Sequence, residues 1–199
     1  MSISAARLIA DSSVLDRDFH ARPAVEVARD CLGKILVHGG AAGRIVETEA
    51  YLGIHDRAAH AWRGVTSRTR ILFGEPGHAY VYFIYGMYEC LNFIAEPRGQ
   101  AGCVLIRALE PLAGVSTMRR RRPSVKREVD LASGPGKLTL ALGITRRQNG
   151  ADLTTGRLHV RGPRSETSFD IEVTPRIGIT HCADWPLRFV IRDSPFASR

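Results

Sequence analysis

Two carboxylates and a tyrosine stand close together in the segment GluThrGluAlaTyr at residues 47–51. The β-branched and apolar residues around this segment predict a strand over 44–52. Because alternate side chains of a strand point to the same face, Ile45, Glu47, Glu49 and Tyr51 would share one face. A carboxylate held there could act as a general base on water. The same spacing is also typical of a strand face exposed to solvent, so the pattern alone leaves both interpretations open.

Aromatic side chains gather in the next part of the chain. A predicted strand over 78–86 carries Tyr80 and Tyr82 on one face, and Tyr85 comes next to Gly86 in a predicted turn. Such a surface could stack flat aromatic bases, with the turn tyrosine as a wedge. A tyrosine-rich strand packed on the core has the same pattern, and the residues alone do not separate the two interpretations.

A long loop without periodicity is predicted over residues 53–70, and loops of this length commonly carry function. It contains His60, which could close a pocket above the tyrosines. A single histidine is also a common structural residue, so this interpretation depends on what surrounds it.

The chain has 28 basic and 20 acidic residues, a net charge of +8, which favours a polyanionic partner such as nucleic acid. Arg119 and Arg120 belong to a basic run that could contact phosphates or simply be a solvated helix end. Lys137 follows a Gly/Pro segment, but Leu131 and Leu138 exclude a nucleotide-binding P-loop. A site for one DNA phosphate, made of backbone amides and this lysine, remains open.

Other function classes are poorly supported. The four cysteines are far apart and form no CxxC, so we expect no zinc site and no disulfide framework. We expect buried free thiols instead. No stretch approaches the roughly 20 apolar residues of a membrane span. The N-terminus lacks a long apolar core, so we expect no secretory leader and a cytoplasmic protein, nucleoid-associated in a bacterium.

Periodicity and turn residues predict one α+β domain over residues 20–199, preceded by a loosely ordered N-terminal arm over 1–19. The predicted helices cover 22–33, 111–122 and 138–142. The predicted strands include a hairpin over 34–52, then 78–86, 90–95 and 101–109, and finally four short strands at 157–161, 169–173, 176–180 and 187–192.

Taken together, these segments resemble the alkyladenine (3-methyladenine) DNA glycosylase family. The resemblance runs from about residue 20 to 197 and rests on ten ordered blocks, among them GlyArgIleValGluThrGluAlaTyrLeuGly, TyrValTyrPheIleTyrGlyMetTyr and CysValLeuIleArgAlaLeuGluPro. The blocks lie at 22–33, 43–53, 58–60, 80–88, 90–92, 103–111, 131–138, 149–153, 176–179 and 187–195. The resemblance to this family implies a curved, mainly antiparallel sheet with flanking helices and a protruding tyrosine-bearing β-hairpin.

The resemblance also implies a role for several residues. Glu49 matches the general base that activates water. Arg107 matches the residue that holds this water and orients Glu49, and the Ile177 carbonyl matches the group that completes the water's shell. Tyr51, His60 and Tyr82 match the residues that contact a flipped base. Tyr85 matches the wedge that fills the vacated place in the base stack. Asn92 matches a residue of the pocket floor that disfavours a guanine-type 2-amino group. The resemblance assigns no role to Glu47.

The expected activity is therefore base-excision repair. An alkylated or deaminated purine is flipped out of duplex DNA and its N-glycosidic bond is hydrolysed, which leaves an abasic site. The expected partner is double-stranded DNA with damaged purines, the expected state is a monomer, and no metal or organic cofactor is implied. Which purine lesions are accepted stays open.

Two alternatives stay open at this stage. A non-catalytic nucleic-acid-binding protein would bind a duplex with an abasic site but release no free base. A small-molecule enzyme on the same scaffold would act on free nucleosides without any need for duplex DNA.

Overall fold

The computed structural model describes residues 5–163 and 168–198; the first four residues of the predicted arm and Arg199 lie outside the described residues. In this part of the chain nine strands, all paired antiparallel, form one open sheet. With the helices that flank it, the sheet makes the predicted α+β domain.

The strands are β1 (Ser12–Val14), β2 (Ile35–His38), β3 (Ala41–Tyr51), β4 (Ala79–Ile84), β5 (Tyr88–Ile94), β6 (Cys103–Ala113), β7 (Leu158–Pro163), β8 (Ile171–Thr174) and β9 (Arg188–Ile191). The helices are α1 (Ala5–Ala10), α2 (Arg17–His20), α3 (Ala24–Asp30), α4 (Val115–Arg121) and α5 (Pro135–Leu142). Short 3-10 turns occupy Gly53–His55, His60–Arg63, Arg70–Phe73, Glu128–Asp130 and Arg146–Gln148.

The main path through the sheet runs β1-β7-β2-β3-β6-β5-β4. Strand β3 is the junction, because β6 pairs along one edge while β2 and then β9 pair with successive parts of the other. Strand β1, from the predicted arm, pairs with β7 at the end of the sheet.

Alternation along the strands separates a core face from an opposite face. Thr48 lies on the core face, where its hydroxyl donates a hydrogen bond to the Ala28 carbonyl of α3 at 2.8 Å. The same side of the central strands carries the buried apolar residues Ala50, Val81, Leu91, Phe93, Val104 and Ile106. Burial of this layer against α3 and α5 supplies the main stabilisation of the fold.

The β4–β5 hairpin carries the predicted tyrosine at its tip. The turn residue Tyr85 is 75% exposed and has a φ of 53°, and Gly86 follows with a φ of 67°. Left-handed backbone is unusual for a tyrosine. The tight turn therefore holds an aromatic ring out from the fold.

The predicted starts of two helices are wrong. The helix predicted over 111–122 begins only at Val115, because β6 continues to Ala113. Pro111 is tolerated in β6 because β5 pairs only with Cys103–Leu105, so the missing amide proton falls beyond that ladder. The helix predicted from 138 begins at Pro135, whose fixed φ suits the first helical position.

The strand predicted over 176–180 is an irregular loop in the structure. Gly178 has a φ of +75°, which interrupts an extended backbone, and the Arg176 side chain is drawn to Asp56. The other predicted helices and strands are present with shifted ends; the helix predicted over 22–33 covers Ala24–Asp30, with Gly33 in left-handed conformation after it.

All four cysteines are free, and Cys31, Cys90 and Cys103 are buried, as the sequence predicted. Among the described residues, none of the helices has the length and apolar character needed to cross a membrane.

Candidate active site

The candidate site lies on the face of the sheet opposite the core. Strand pairing places Glu49 opposite Leu105, Leu105 opposite Asn92, and Asn92 opposite Tyr80. These residues form a row across β3, β6, β5 and β4. Because paired residues point to the same face, four segments that are distant in sequence contribute to one surface.

An irregularity in the β3–β6 ladder brings Arg107 into this surface. Glu47 pairs with Ala108 and Thr48 with Ile106, so Arg107 is the extra residue of a bulge. Bulges of this kind redirect a side chain and are common beside functional sites. Here the guanidinium lies between two carboxylates, 2.8 Å from Glu47 through Nε and 3.1 Å from Glu49 through Nη1.

Glu49 is completely buried, accepts two hydrogen bonds and forms an ion pair with Arg107. The backbone N–H of Ile177 donates to Oε1 at 2.8 Å, where Nη1 of Arg107 also approaches. The Tyr51 hydroxyl donates to Oε2 at 2.9 Å. All three neighbours line a cavity, so the carboxylate sits directly behind the cavity wall.

The cavity has a volume of about 350 Å³. It is lined by side chains from the row and from neighbouring strands and loops, including Tyr51, His60, Tyr80, Tyr82, Cys90, Asn92, Cys103, Leu105, Arg107 and Ile177. Small-ligand sites of roughly this size are concave, largely apolar and carry a few placed polar groups. A single flat heterocycle would fit this description.

Two of the predicted pocket residues, His60 and Tyr82, pack against each other at the cavity. The His60 ring packs edge-on against Tyr82, with ring centroids 4.5 Å apart, and its Nδ1 lies 3.0 Å from the Tyr80 hydroxyl. Desolvation of the packed ring, and then the charge of Arg68, lower the pKa of His60 to about 4. His60 is therefore neutral near pH 7.

Asn92 is buried, and its Nδ2 donates to the Tyr80 carbonyl at 3.2 Å. This bond fixes the amide across the β4–β5 pair, with the side chain at the cavity. A fixed amide gives this wall a defined pattern of donors and acceptors.

The remaining predicted contacts lie outside the cavity wall or at its rim. The Tyr85 ring lines the cavity opening from the hairpin tip, and Lys137 stands in the first turn of α5, with Nζ 3.5 Å from the Ser133 hydroxyl. Pro135 and Gly136 of the same turn line the cavity, so the positive end of the α5 dipole faces it.

The arginine run on α4 divides into two groups. Arg119 pairs with Glu128 at 3.3 Å and Arg120 bonds Thr117, both in exposed positions. Arg121 and Arg122 instead donate to backbone carbonyls of Ala141, Asp130 and Leu131 and brace the neighbouring segments. Arg119 and Arg120 therefore have exposed partners, and contact with an external phosphate would disturb only these surface contacts.

Sequence reasoning missed a clip that joins two loops at the site. Arg176 forms a fully buried bidentate ion pair with Asp56 and donates to the Ala50 carbonyl at 3.0 Å. Its guanidinium also lies over the Tyr51 ring, 4.6 Å from the centroid. The clip holds the loop of Ile177 against the loop that leads to His60.

Arg68 is a second missed residue. Its Nε donates to the Tyr80 hydroxyl at 3.1 Å and its guanidinium lies over the Tyr82 ring at 5.2 Å. The sequence held one signal: the segment 57–74 has four arginines and no acidic residue. Within the described residues, no group of three or more His, Cys, Asp or Glu side chains comes together as a metal site.

Comparison with known proteins gives a consistent result. A family model described as methylpurine-DNA glycosylase matches residues 18–195. The chain is similar to a protein of Methanocella arvoryzae named "Putative 3-methyladenine DNA glycosylase", 50% identical over 195 residues that cover 94% of this chain and 96% of that one. Proteins with the same name from Alkaliphilus oremlandii and Koribacter versatilis are 46% and 49% identical, covering 93% and 96% of this chain and 98% and 95% of their own.

Proposed function

The chain belongs to the methylpurine-DNA glycosylase family. On that premise we propose that it releases damaged purines from duplex DNA by hydrolysis of the N-glycosidic bond, with a water molecule activated by Glu49. The family makes it a monofunctional DNA glycosylase with a role in DNA repair, a hydrolase of N-glycosyl bonds whose substrate is DNA. The proposal concerns the finer steps: how the base is reached, which residue activates water and which lesions are taken.

The observation that carries the proposal is the set of donors around Glu49. A carboxylate offers about four acceptor positions. The Ile177 N–H uses one position on Oε1, where the Arg107 guanidinium also forms an ion pair. The Tyr51 hydroxyl uses one position on Oε2, which leaves a second position on Oε2 for water. Because Glu49 is fully buried, the side chains at the cavity wall must open by about the width of one water molecule to admit it.

The chemistry follows from that arrangement. A purine stacked in a duplex is out of reach, so it must first swing into the cavity between the aromatic side chains. The bond between the base and C1′ of the sugar then breaks, its electron pair leaves with the base, and positive charge develops on the sugar. The ionised Glu49 stabilises this charge, and as the water oxygen bonds C1′, the carboxylate takes the water's proton. Free base and an abasic site are the products.

The pocket wall supports a preference among bases. The tyrosine faces provide stacking, and an alkylated cationic purine gains a further cation–π term of about 1–2 kcal/mol. The amide of Asn92, held by the Tyr80 carbonyl, meets the edge of the base and disfavours a 2-amino group. We propose that alkylated purines without a 2-amino group are the preferred lesions. We also propose that the protein acts as a monomer.

The test is base release from a duplex with one alkylated purine, followed by chromatography under single-turnover conditions. Glu49→Gln keeps the shape of the side chain and removes its charge, so we expect the rate to fall by about 10²–10⁴ while a duplex with an abasic site still binds. Glu110→Gln is the matched control, since Glu110 is paired with Arg44 in the same two strands away from the cavity. Release by Glu49→Gln at the wild-type rate would remove Glu49 from this role.

A further inference from the structure

Glu47 is a second buried carboxylate beside the site, and the proposed reaction leaves it unused. It stands two residues before Glu49 in β3 and is 0% exposed. Arg107 Nε, Arg188 Nε and the Ser198 hydroxyl lie within 2.7–2.8 Å of its Oε1, and the Ser198 backbone N–H donates to Oε2 at 2.6 Å. The carboxylate is thus held from both sides.

Glu47 is ionised in this environment. Burial alone would raise its pKa, but the charge of Arg107 and the hydrogen bonds from Ser198 and Arg188 outweigh burial, so the pKa of Glu47 is lowered. Two acidic and two basic side chains form one continuous chain of ion pairs, in the order Arg188, Glu47, Arg107 and Glu49. A second buried acid next to the general base is a costly way to gain stability, since apolar side chains often serve as well.

The geometry of Arg107 shows what this cluster does locally. Its Nε is bound to Glu47, its Nη2 donates to the Ser198 hydroxyl at 3.2 Å, and its Nη1 lies 3.1 Å from Glu49. A guanidinium is planar, so two nitrogens fixed from behind determine where the third points. Glu47 and Ser198 thereby set the direction of Nη1.

We propose that Glu47 and Ser198 are positioning residues for base excision, which act through Arg107 to aim its Nη1 at Glu49. This inference rests on the proposed function of Glu49. Ser198 lies 151 residues after Glu47, so the segment that follows β9 is part of the site although it does not touch the cavity. Neither Glu47 nor Ser198 is among the residues that line the cavity.

The test measures the single-turnover rate at saturating enzyme, the dissociation constant for an abasic-site duplex and the melting temperature of each variant. Glu47→Gln should lower the rate at least about 30-fold and leave the dissociation constant within about twofold, because ground-state binding does not use the cluster. Glu110→Gln, which breaks a half-buried ion pair in the same strands, should leave the rate unchanged.

Ser198 provides a milder pair of variants, which decides the matter if Glu47→Gln does not fold. Ser198→Ala removes the hydroxyl but keeps the backbone N–H, and we expect a rate about fivefold lower, as for the loss of one hydrogen bond. Ser198→Thr restores a hydroxyl and should recover most of the rate. A purely structural role would lower the melting temperature without this loss and recovery.

Three results overturn the inference: Glu47→Gln at the wild-type rate, Ser198→Ala equal to wild type, or equal losses in Ser198→Ala and Ser198→Thr. They differ from failure of the proposed function. That failure appears as no base release by the wild-type protein, or as full release by Glu49→Gln. If the wild type is active and Glu49→Gln is not, these variants test the positioning role alone.

Discussion

The hydroxyl of Tyr51 donates a 2.9 Å hydrogen bond to Glu49, its neighbour two residues earlier on the same strand face. Burial, and then the negative charge of Glu49, raise the pKa of Tyr51 far above its usual value, so the phenol keeps its proton and stays a donor. One side chain thus lines the cavity with its ring and restrains the carboxylate with its hydroxyl.

Tyr51→Phe separates these two tasks, because it keeps the ring and removes the donor. We expect base release to slow by about 10- to 100-fold, since a hydrogen bond to a charged group contributes about 1.5–3 kcal/mol. Binding of an abasic-site duplex should be unchanged. A rate above that of the wild type in single-turnover assays would contradict the prediction and show that the hydroxyl occupies the place of the attacking water.

Tyr85→Ala tests the wedge at the hairpin tip. The ring is exposed and makes few internal contacts, so the melting temperature should change little. Affinity for an abasic-site duplex should fall by about tenfold or more, since stacking of one base on an aromatic ring contributes about 1–3 kcal/mol. Val173→Ala, at an exposed apolar residue of β8, is the control for loss of surface area. Equal affinities of the two variants would argue against a wedge.

Arg119 and Arg120 are predicted to contact phosphates. Their double replacement by Gln should weaken DNA binding and reduce the slope of log affinity against log salt by about 2, since each neutralised phosphate contributes about 0.9. The measurement is a titration of duplex DNA at several salt concentrations. An unchanged slope would show that this helix end is only solvated.

His20 makes the fold sensitive to acid. Its ring is fully buried against Phe93, and neither ring nitrogen has a partner among the described residues. Burial, followed by the charge of Arg17, lowers the pKa of His20 from 6.5 to about 4. Between pH 6.5 and 4, His20 binds a proton in the unfolded chain but stays neutral in the folded chain. The free energy of unfolding therefore falls as the pH drops from 6.5 to 4.

The expected loss at this position is on the order of 3 kcal/mol at pH 4. His20→Phe keeps an aromatic ring and removes the titration, so its free energy of unfolding should depend less steeply on pH over that range. Urea unfolding at pH 7, 5.5 and 4 gives the measurement. Parallel curves for wild type and variant would exclude His20 as the source.

Much of the site could be predicted from short-range pattern. Two-residue alternation predicts Glu47, Glu49 and Tyr51 on one face, and it predicts Tyr80 and Tyr82 together. It also predicts Ile45 on the face of Glu47, which is wrong, because the β3–β6 ladder shifts between these two residues and Ile45 is buried in the core. The family resemblance named Arg107 and Asn92, and the fold brings both to the same cavity. Position along a strand suffices here because the face of a side chain is a local property.

What could not be predicted depends on contacts between distant segments. Arg176 and Asp56 are 120 residues apart, and their pairing follows from how two irregular loops pack. The sequence predicts a helix at the end of β6 because Pro111 is typical of a helix start, whereas the structure has a strand there. Its tolerance in a strand follows from the absence of a β5 partner at that point, which the sequence of β6 does not encode.

The row that joins Glu49, Leu105, Asn92 and Tyr80 makes the site depend on strand alignment. A slip of one residue in β5 would turn Asn92 toward the apolar layer and bring Leu91 or Phe93 to the cavity. Insertions and deletions are therefore excluded from these four strands far more strictly than substitutions. Exchange of single side chains along the row changes the lining of the cavity without a change in chain length between the ends of each strand.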